Sequence, residues 1–308
     1  LLSIIKLMEA KMNLDHDIRE GGVQMILLVE DSIRFYSSVL PNLYKYVLEQ
    51  SRSFATEALN AHQTTLRMRG RPKIVLARTY EEAWLLYDRY RNNTLGVISD
   101  VRFPIHEGAA KDAEAGVRLM REIRACDEFL PLIMQSSESN NRQLAAEVGA
   151  GFVDKNSKKM SIDLRDRIEQ HFGFGDLVFR DPTTGAEVVR IHNLKELQDN
   201  IFTIPEDSFV YHTAHNHISR WLCSRAMFPL SEFLKRITQN EYEDVLEHRQ
   251  LIFDAIVRYR KMKNRGVVAE YLRGRFDRFS HFARIGEGSL GGKGRGIAFV
   301  DHFLKKLS

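Results

Sequence analysis

Five short apolar runs, residues 25–29, 73–77, 95–99, 130–135 and 151–153, are separated by segments of helical periodicity. This alternation restricts the fold more than any other feature of the chain. The runs are rich in Val, Ile and Leu, as strands buried on both faces require. Between them, residues 80–91, 113–125, 139–148 and 158–172 carry apolar side chains at three- and four-residue spacings. The pattern predicts a doubly wound α/β domain with a five-stranded parallel sheet and crossover helices on both faces. In such sheets ligands bind beyond the carboxyl ends of the strands. Polar residues gather there: Glu30 and Asp31 after the first run, Asp100 after the third, Ser136 after the fourth and Lys155 after the fifth.

Three carboxylates on one rim repel, and a hard divalent cation with oxygen ligands, typically Mg2+, relieves the repulsion. The expected cation site is therefore Glu30, Asp31 and Asp100. If Asp100 receives a phosphoryl group, the cation and the Lys155 ammonium neutralise the developing charge, and the Ser136 hydroxyl donates to a phosphoryl oxygen. A single acid at a strand end is an ordinary solvated residue. The joint arrangement is what points to chemistry.

Residues 26–32 (ILLVEDS), 97–104 (VISDVRFP), 131–137 (PLIMQSS) and 149–155 (GAGFVDK) closely resemble the receiver domains of two-component response regulators. The resemblance covers residues 24–172 and implies a flavodoxin-like receiver. It makes Asp100 the phosphoacceptor, with Glu30 and Asp31 helping to bind Mg2+. Ser136 would be the switch hydroxyl, Phe152 the switch aromatic and Lys155 the phosphate-sensing lysine. A sensor histidine kinase or a small phosphodonor would supply the phosphoryl group. Three departures stand out. Asn156 follows the lysine where the family usually has proline, so that loop is expected to be shaped differently. More than 40 residues separate the first two runs, which should lengthen the first helix and form a contact surface. Arg102, two residues beyond the acceptor, is positioned to shield a phosphoryl group or pair with it.

After Phe172, Gly173 and Gly175 mark a boundary, and apolar runs around Asp181-Pro-Thr-Thr-Gly185 predict a hairpin over residues 177–191. From Asn193 the pattern turns helical, with one helix opening there, a second over 208–227 and a third over 241–263. The expected organisation is an N-terminal helix (1–23), a receiver with an extended first crossover (24–172), a hairpin and mostly helical connector (173–283) and a glycine-rich segment (284–308). His212 and His215 would share a helix face while His217 projects away. Without an acidic or thiol partner, these residues read as packing rather than metal ligands. Trp221, Leu222, Phe228 and Leu230 likewise read as core.

The net charge of +4 conceals an asymmetry, because from Arg258 onward thirteen Lys and Arg face four Asp and Glu. Within this basic stretch, Gly286, Gly288 and Gly291 formally match GxGxxG, yet no dinucleotide-binding βαβ unit surrounds them. The P-loop pattern fails as well, since Glu287 and Gly294 occupy its first glycine and its Ser/Thr position. What remains is a basic loop leading into an apolar helix. There the backbone amides of Gly291 and Gly292, with Lys293 and Arg295, can approach phosphates. The segment is similar to the start of the ATP-binding domain of phosphoenolpyruvate synthase and pyruvate phosphate dikinase. That similarity implies the regulatory N-terminal part of a pyruvate, water dikinase-like phosphotransferase, inactive without the catalytic domains of the same chain and using ATP only as part of that parent.

The alternative is a stand-alone two-component signalling adaptor whose helical half binds a protein partner. No helix-turn-helix or winged segment follows the receiver, so no nucleic-acid partner is expected. A homodimer is compatible with either reading. Cys126 and Cys223 form no CxxC pair, no signal peptide is evident, and no run reaches the roughly 20 apolar residues that span a bilayer. These observations predict a reducing, cytoplasmic setting without a membrane partner.

Overall fold

The computed structural model describes residues 2–238, 244–271, 277–286, 288 and 290–307. Helix α1 (Leu2–Gly21) leads into β1 (Met25–Val29), which is buried along its whole length. The long first crossover consists of two helices, α2 (Ile33–Ala55) and α3 (Ala61–Arg69). Asn60 starts α3 by accepting the Gln63 N–H while Gln63 Oε1 accepts the Leu59 N–H, a reciprocal cap of two orphan donors. There follow β2 (Lys73–Ala77), α4 (Tyr80–Tyr90) and β3 (Thr94–Asp100). A small hairpin of β4 (Phe103–Pro104) and β5 (Lys111–Asp112), which the apolar periodicity does not signal, precedes α5 (Ala115–Cys126). The sheet is completed by β6 (Leu132–Ser136), α6 (Asn141–Glu147), β7 (Gly151–Asp154) and α7 (Met160–His171).

The five strands pair in parallel, as the alternation predicts, and their order β2-β1-β3-β6-β7 is the flavodoxin-like one that the resemblance implies. Side chains alternate between faces with the period of two that a strand imposes. Leu27, Val29, Val97 and Met134 pack beneath α4, α5 and α6, whereas Ile26, Leu28, Ile98 and Ile133 pack beneath α2 and α7. Both sides being apolar explains why the strands read as continuous hydrophobic runs. Helix α1 lies against the edge strand β2, burying Leu14 and Ile18 with Val75 and Tyr90. Lys73 pairs there with Asp17 at 2.7 Å.

The second half begins with the hairpin β8 (Leu177–Arg180) and β9 (Glu187–Ile191), then α8 (Leu194–Asn200), capped by Asn193 accepting the Glu196 N–H. The single helix expected over 208–227 is instead two, α9 (Glu206–Ala214) and α10 (His217–Ser224). Asn216 adopts a left-handed conformation with φ 57°, which its short polar side chain tolerates, and this turns the chain. The turn brings His217 back onto His212, Nδ1 to Nδ1 at 2.8 Å, so His217 does not project away. Next come α11 (Phe228–Thr238) and α12 (Val245–Asn264). The expected start of a helix at Glu241 lies outside the described residues. A parallel pair, β10 (Val268–Glu270) and β11 (Phe282–Arg284), precedes α13 (Gly292–Leu307). No described helix is long and apolar enough to cross a membrane.

The helical half meets the sheet at the amino ends of its strands. Phe228 lies against Gly22 and Gly70, which precede β1 and β2, and Arg220 Nη2 donates to the Phe129 carbonyl ahead of β6 at 2.6 Å. Arg225 lies between the rings of Phe54 and Trp221, 4.0 Å from each centroid, and donates to the carbonyls of Gly173 and Gly175. Gly96 in β3 allows Phe172 to approach, since a Cβ there would fall 2.5 Å from the ring. The extended crossover also joins this contact, as expected: the Glu270 N–H donates to the Leu59 carbonyl at 3.0 Å, and Gln63 Nε2 donates to the Lys263 carbonyl at 3.0 Å.

The histidine pair has a defined proton arrangement. The Arg180 N–H donates to His212 Nε2 at 2.9 Å, so His212 carries its proton on Nδ1 and donates it to His217. Burial holds both imidazoles well below their ordinary value, His212 at about 4 and His217 at about 2. As pH falls below about 6.5, the unfolded chain takes up protons that the folded chain refuses. Stability should therefore decline by about 1.4 kcal/mol per pH unit per histidine between pH 6.5 and 4. Urea denaturation should show a shallower pH slope in this window for the H212Q/H217Q double variant than for the wild type; equal slopes would show that the pair titrates normally.

Candidate functional site

Strand register assembles the polar rim. Val29 pairs with Ala77 and Ser99, Asp100 with Gln135, and Ser136 with Asp154, so the residues that end or follow β1, β3, β6 and β7 share one edge. Glu30, Asp31 and Asp100 each present an oxygen there, all within 4.8 Å of one another. Among the described residues, this is the one group of three metal-ligating side chains that converges. Lys155 Nζ stands 2.5 Å from Glu30 Oε2 and 2.9 Å from Asp100 Oδ2, with its side chain only 2% exposed. The Phe35 ring faces the same ammonium at 4.3 Å, adding a cation–π contact. Burial pushes the Glu30 carboxyl above its ordinary range, and Lys155 opposes that shift.

The acceptor position is held from the backbone side. Asp100 Oδ1 accepts the Val101 N–H at 2.7 Å, and the Gly116 N–H donates to the Val101 carbonyl at 2.9 Å. Helix α5 seats so close to the strand end that a Cβ on Gly116 would fall 2.1 Å from the Asp100 carbonyl oxygen. Only glycine fits there without a backbone shift. Asp31 meets a cation from the small hairpin: Lys111 Nζ lies 2.9 Å from Oδ1 and 2.8 Å from Oδ2.

On the other side of the rim, Ser136 Oγ accepts from Asn141 Nδ2 at 2.8 Å and from the Glu138 N–H at 3.1 Å. As a double acceptor it keeps its own O–H for a further partner. Phe152 is buried, with the Arg142 guanidinium 4.8 Å above its ring. Asn156, where the resemblance implies a proline, donates from Nδ2 to the Ser137 carbonyl at 2.8 Å and ties the loop after β7 to the loop after β6. Arg102 pairs with Glu138 at 3.3 Å, on the exposed side of the rim.

Gly291, Gly292, Lys293 and Arg295 lie on a separate element, exposed around the start of α13. Arg295 Nε donates to the Leu290 carbonyl at 2.9 Å, which folds the guanidinium back onto its own loop. Glu287 and Ser289 lie outside the described residues. The sequence pattern alone misses Phe35, Lys111, Gly116 and Asn141. None has a motif, and each reaches the site through a register or helix position that only packing determines.

The donor set fits a hard divalent cation, because three carboxylate oxygens converge on a rim where strand-end acids face outward. The same oxygens already meet two ammonium groups, those of Lys155 and Lys111.

No protein-family model matches the sequence, and no curated protein matches it. Solved structures similar to it include the chemotaxis protein CheY4 of Vibrio cholerae, at 18% identity over 48% of this chain and 98% of that one, with a TM-score of 0.33. A response regulator receiver domain protein from Clostridium thermocellum is 20% identical over 49% of this chain and 94% of that one, with a TM-score of 0.32. A chain of the CheX-CheY-BeF3-Mg2+ complex from Borrelia burgdorferi is 17% identical over 50% of this chain and 93% of that one, with a TM-score of 0.34.

Removing one partner of a buried charged network leaves the others uncompensated, at a cost of about 3–5 kcal/mol. Lys155→Met should lose on that order of stability in urea denaturation, and the K155M/E30Q double variant should recover part of it. Glu30 without Lys155 has a folded pKa raised still further, so the favourable protonated form is lost as pH rises. K155M should accordingly be less destabilised at pH 5 than at pH 8. Equal losses at both values would remove Glu30 as the uncompensated group.

Proposed function

We propose that residues 24–172 act as a phosphorylatable receiver, with Asp100 as the phosphoacceptor and residues 173–283 as a connector. The observation that carries this reading is the convergence of Lys155 with Glu30, Asp31 and Asp100 on one rim, with the Ser136 hydroxyl on the neighbouring strand. An Asp100 carboxylate oxygen attacks the phosphorus of a phosphodonor. The new oxygen–phosphorus bond forms as the bond from phosphorus to the leaving group breaks. Glu30, Asp31 and Asp100 would hold a divalent cation, which when bound neutralises charge on the phosphoryl oxygens. Lys155 contributes a fixed positive charge beside Asp100, and the Ser136 O–H donates to a phosphoryl oxygen while Asn141 and the Glu138 amide hold its oxygen in place. A sensor histidine kinase or a small acyl phosphate would serve as phosphodonor.

The glycine-rich segment supports a narrower second reading, in which the chain regulates an ATP-dependent phosphotransferase of the phosphoenolpyruvate synthase type. Its supporting observation is the exposure of Gly291, Gly292 and Lys293 around the start of α13, where backbone amides and a cation favour anions.

Incubation with Mg2+ and acetyl phosphate should add one phosphoryl mass to the wild type and none to Asp100→Asn. An unchanged wild-type mass, with no retention of beryllofluoride, would refute phosphorylation at this site. Signal transfer to the connector has a specific route, since Phe172 and Gly173 at the end of α7 touch β3 and α10. Beryllofluoride should therefore change hydrogen exchange in the C-terminal half of α7 and in α10. Changes confined to the rim, with none beyond residue 177, would mean that the connector does not receive the signal.

A further inference from the structure

We infer that Lys111 is a tethered counter-cation that competes with a divalent metal for Asp31 and so sets the metal affinity of the rim. The inference rests on the receiver reading above and extends it to a residue outside the acidic and switch positions.

Lys111 is positioned by a braced hairpin. One foot of that hairpin is Phe103, fully buried in the core beneath α4 and α5. The Ile105 carbonyl accepts the Glu81 N–H at 3.0 Å, which fastens the outgoing chain to the first turn of α4. On the returning strand, Asp112 accepts the Glu114 N–H at 2.8 Å and pairs with Arg118 of α5 at 3.0 Å. Pro104 faces Lys111 across the two-stranded pairing. With both feet fastened, the ammonium is delivered to both oxygens of Asp31, at 2.9 and 2.8 Å.

Burial distinguishes this contact from an ordinary surface ion pair. The Lys111 side chain is 52% exposed, but that of Asp31 is only 13% exposed, so the carboxylate has little water to fall back on. Isolated exposed pairs contribute little because both charges are well hydrated and both side chains must be ordered. Here the backbone bracing has already ordered the approach of the lysine. Lys155 serves Glu30 and Asp100, and Lys111 serves Asp31, so each acid of the trio has an ammonium in contact. A hard cation needs the carboxylate oxygens that Lys111 holds. Binding it through Asp31 therefore requires breaking or sharing that pair, and release of Lys111 loosens the hairpin between its two feet.

The test is Mn2+ binding followed by electron paramagnetic resonance, with Mg2+ as competitor, in 0.15 M KCl so that distant charges are largely screened. Lys111→Ala should bind Mn2+ roughly fivefold more tightly than the wild type. In an Asp31→Asn background, the same lysine substitution should change nothing. Lys45→Ala, at a surface lysine paired with Glu49 on α2, serves as the charge control and should match the wild type. Hydrogen exchange in residues 105–110 should accelerate on Mg2+ addition to the wild type. If the wild type binds Mn2+ and Lys111→Ala binds it equally well, Lys111 is not a competitor and the inference falls while the metal site stands. If neither protein binds Mn2+, the metal-site reading itself fails, and the inference with it.

Discussion

The buried ammonium of Lys155 makes the rim of this sheet tenable. Parallel pairing forces the ends of β1 and β3 together, and with them Glu30, Asp31 and Asp100. Carboxylates this close, with Glu30 and Asp100 largely shielded from water, repel strongly unless a cation lies among them. Lys155 reaches Glu30 and Asp100 at once because β7 places its carboxyl end beside that of β6, one strand away from Asp100. The rest of the site is arranged around this contact. Phe35 closes one side of the ammonium, and Gly116 lets α5 press against the Asp100 backbone. The strand-end loops are cross-linked by Asn156.

The two ends of the same strands carry different tasks. Charge gathers at the carboxyl ends, while the amino ends are covered by the helical half through aromatic packing and arginine–carbonyl contacts. Arg225 illustrates how that junction is held. Burial draws its guanidinium down to about 9, but two flat rings and the glycine carbonyls replace most of its hydration. The same strands and α7 reach both ends, so the rim and the helical half are joined by continuous packing. Phe172 lies against Gly96 of β3, and Gly173 lies against α10.

The histidine pair shows a related principle in the helical half. His212 and His217 form a neutral hydrogen bond whose direction is set by the Arg180 amide, and a further proton would have to displace a hydrogen bond that each ring already accepts and would be buried as a charge. Such a pair serves as a packing element at neutral pH and becomes a liability in acid. It stands where the sequence offers histidines at spacings that invite a metal. The described structure brings no third ligand to them.

The sequence by itself determined the sheet. Its five apolar runs could only be strands buried on both faces, and the polar residues ending them could only collect at the carboxyl edge, so Glu30, Asp31, Asp100, Ser136 and Lys155 were legible as a group. Asn193 with Glu196 likewise announced a helix start through local capping chemistry. What the tertiary structure decided lies beyond the reach of periodicity. The break at Asn216 depends on one residue taking a left-handed turn, and it reversed the position of His217. Lys111, Asn141 and Gly116 entered the site because a hairpin, a helix start and a close helix approach brought them there from positions with no pattern of their own. The docking of the helical half on the amino ends was equally hidden. It depends on shape matching between Phe228, Arg220, Arg225 and backbone surfaces, and local sequence encodes a residue's periodicity far better than the distant surface it will meet.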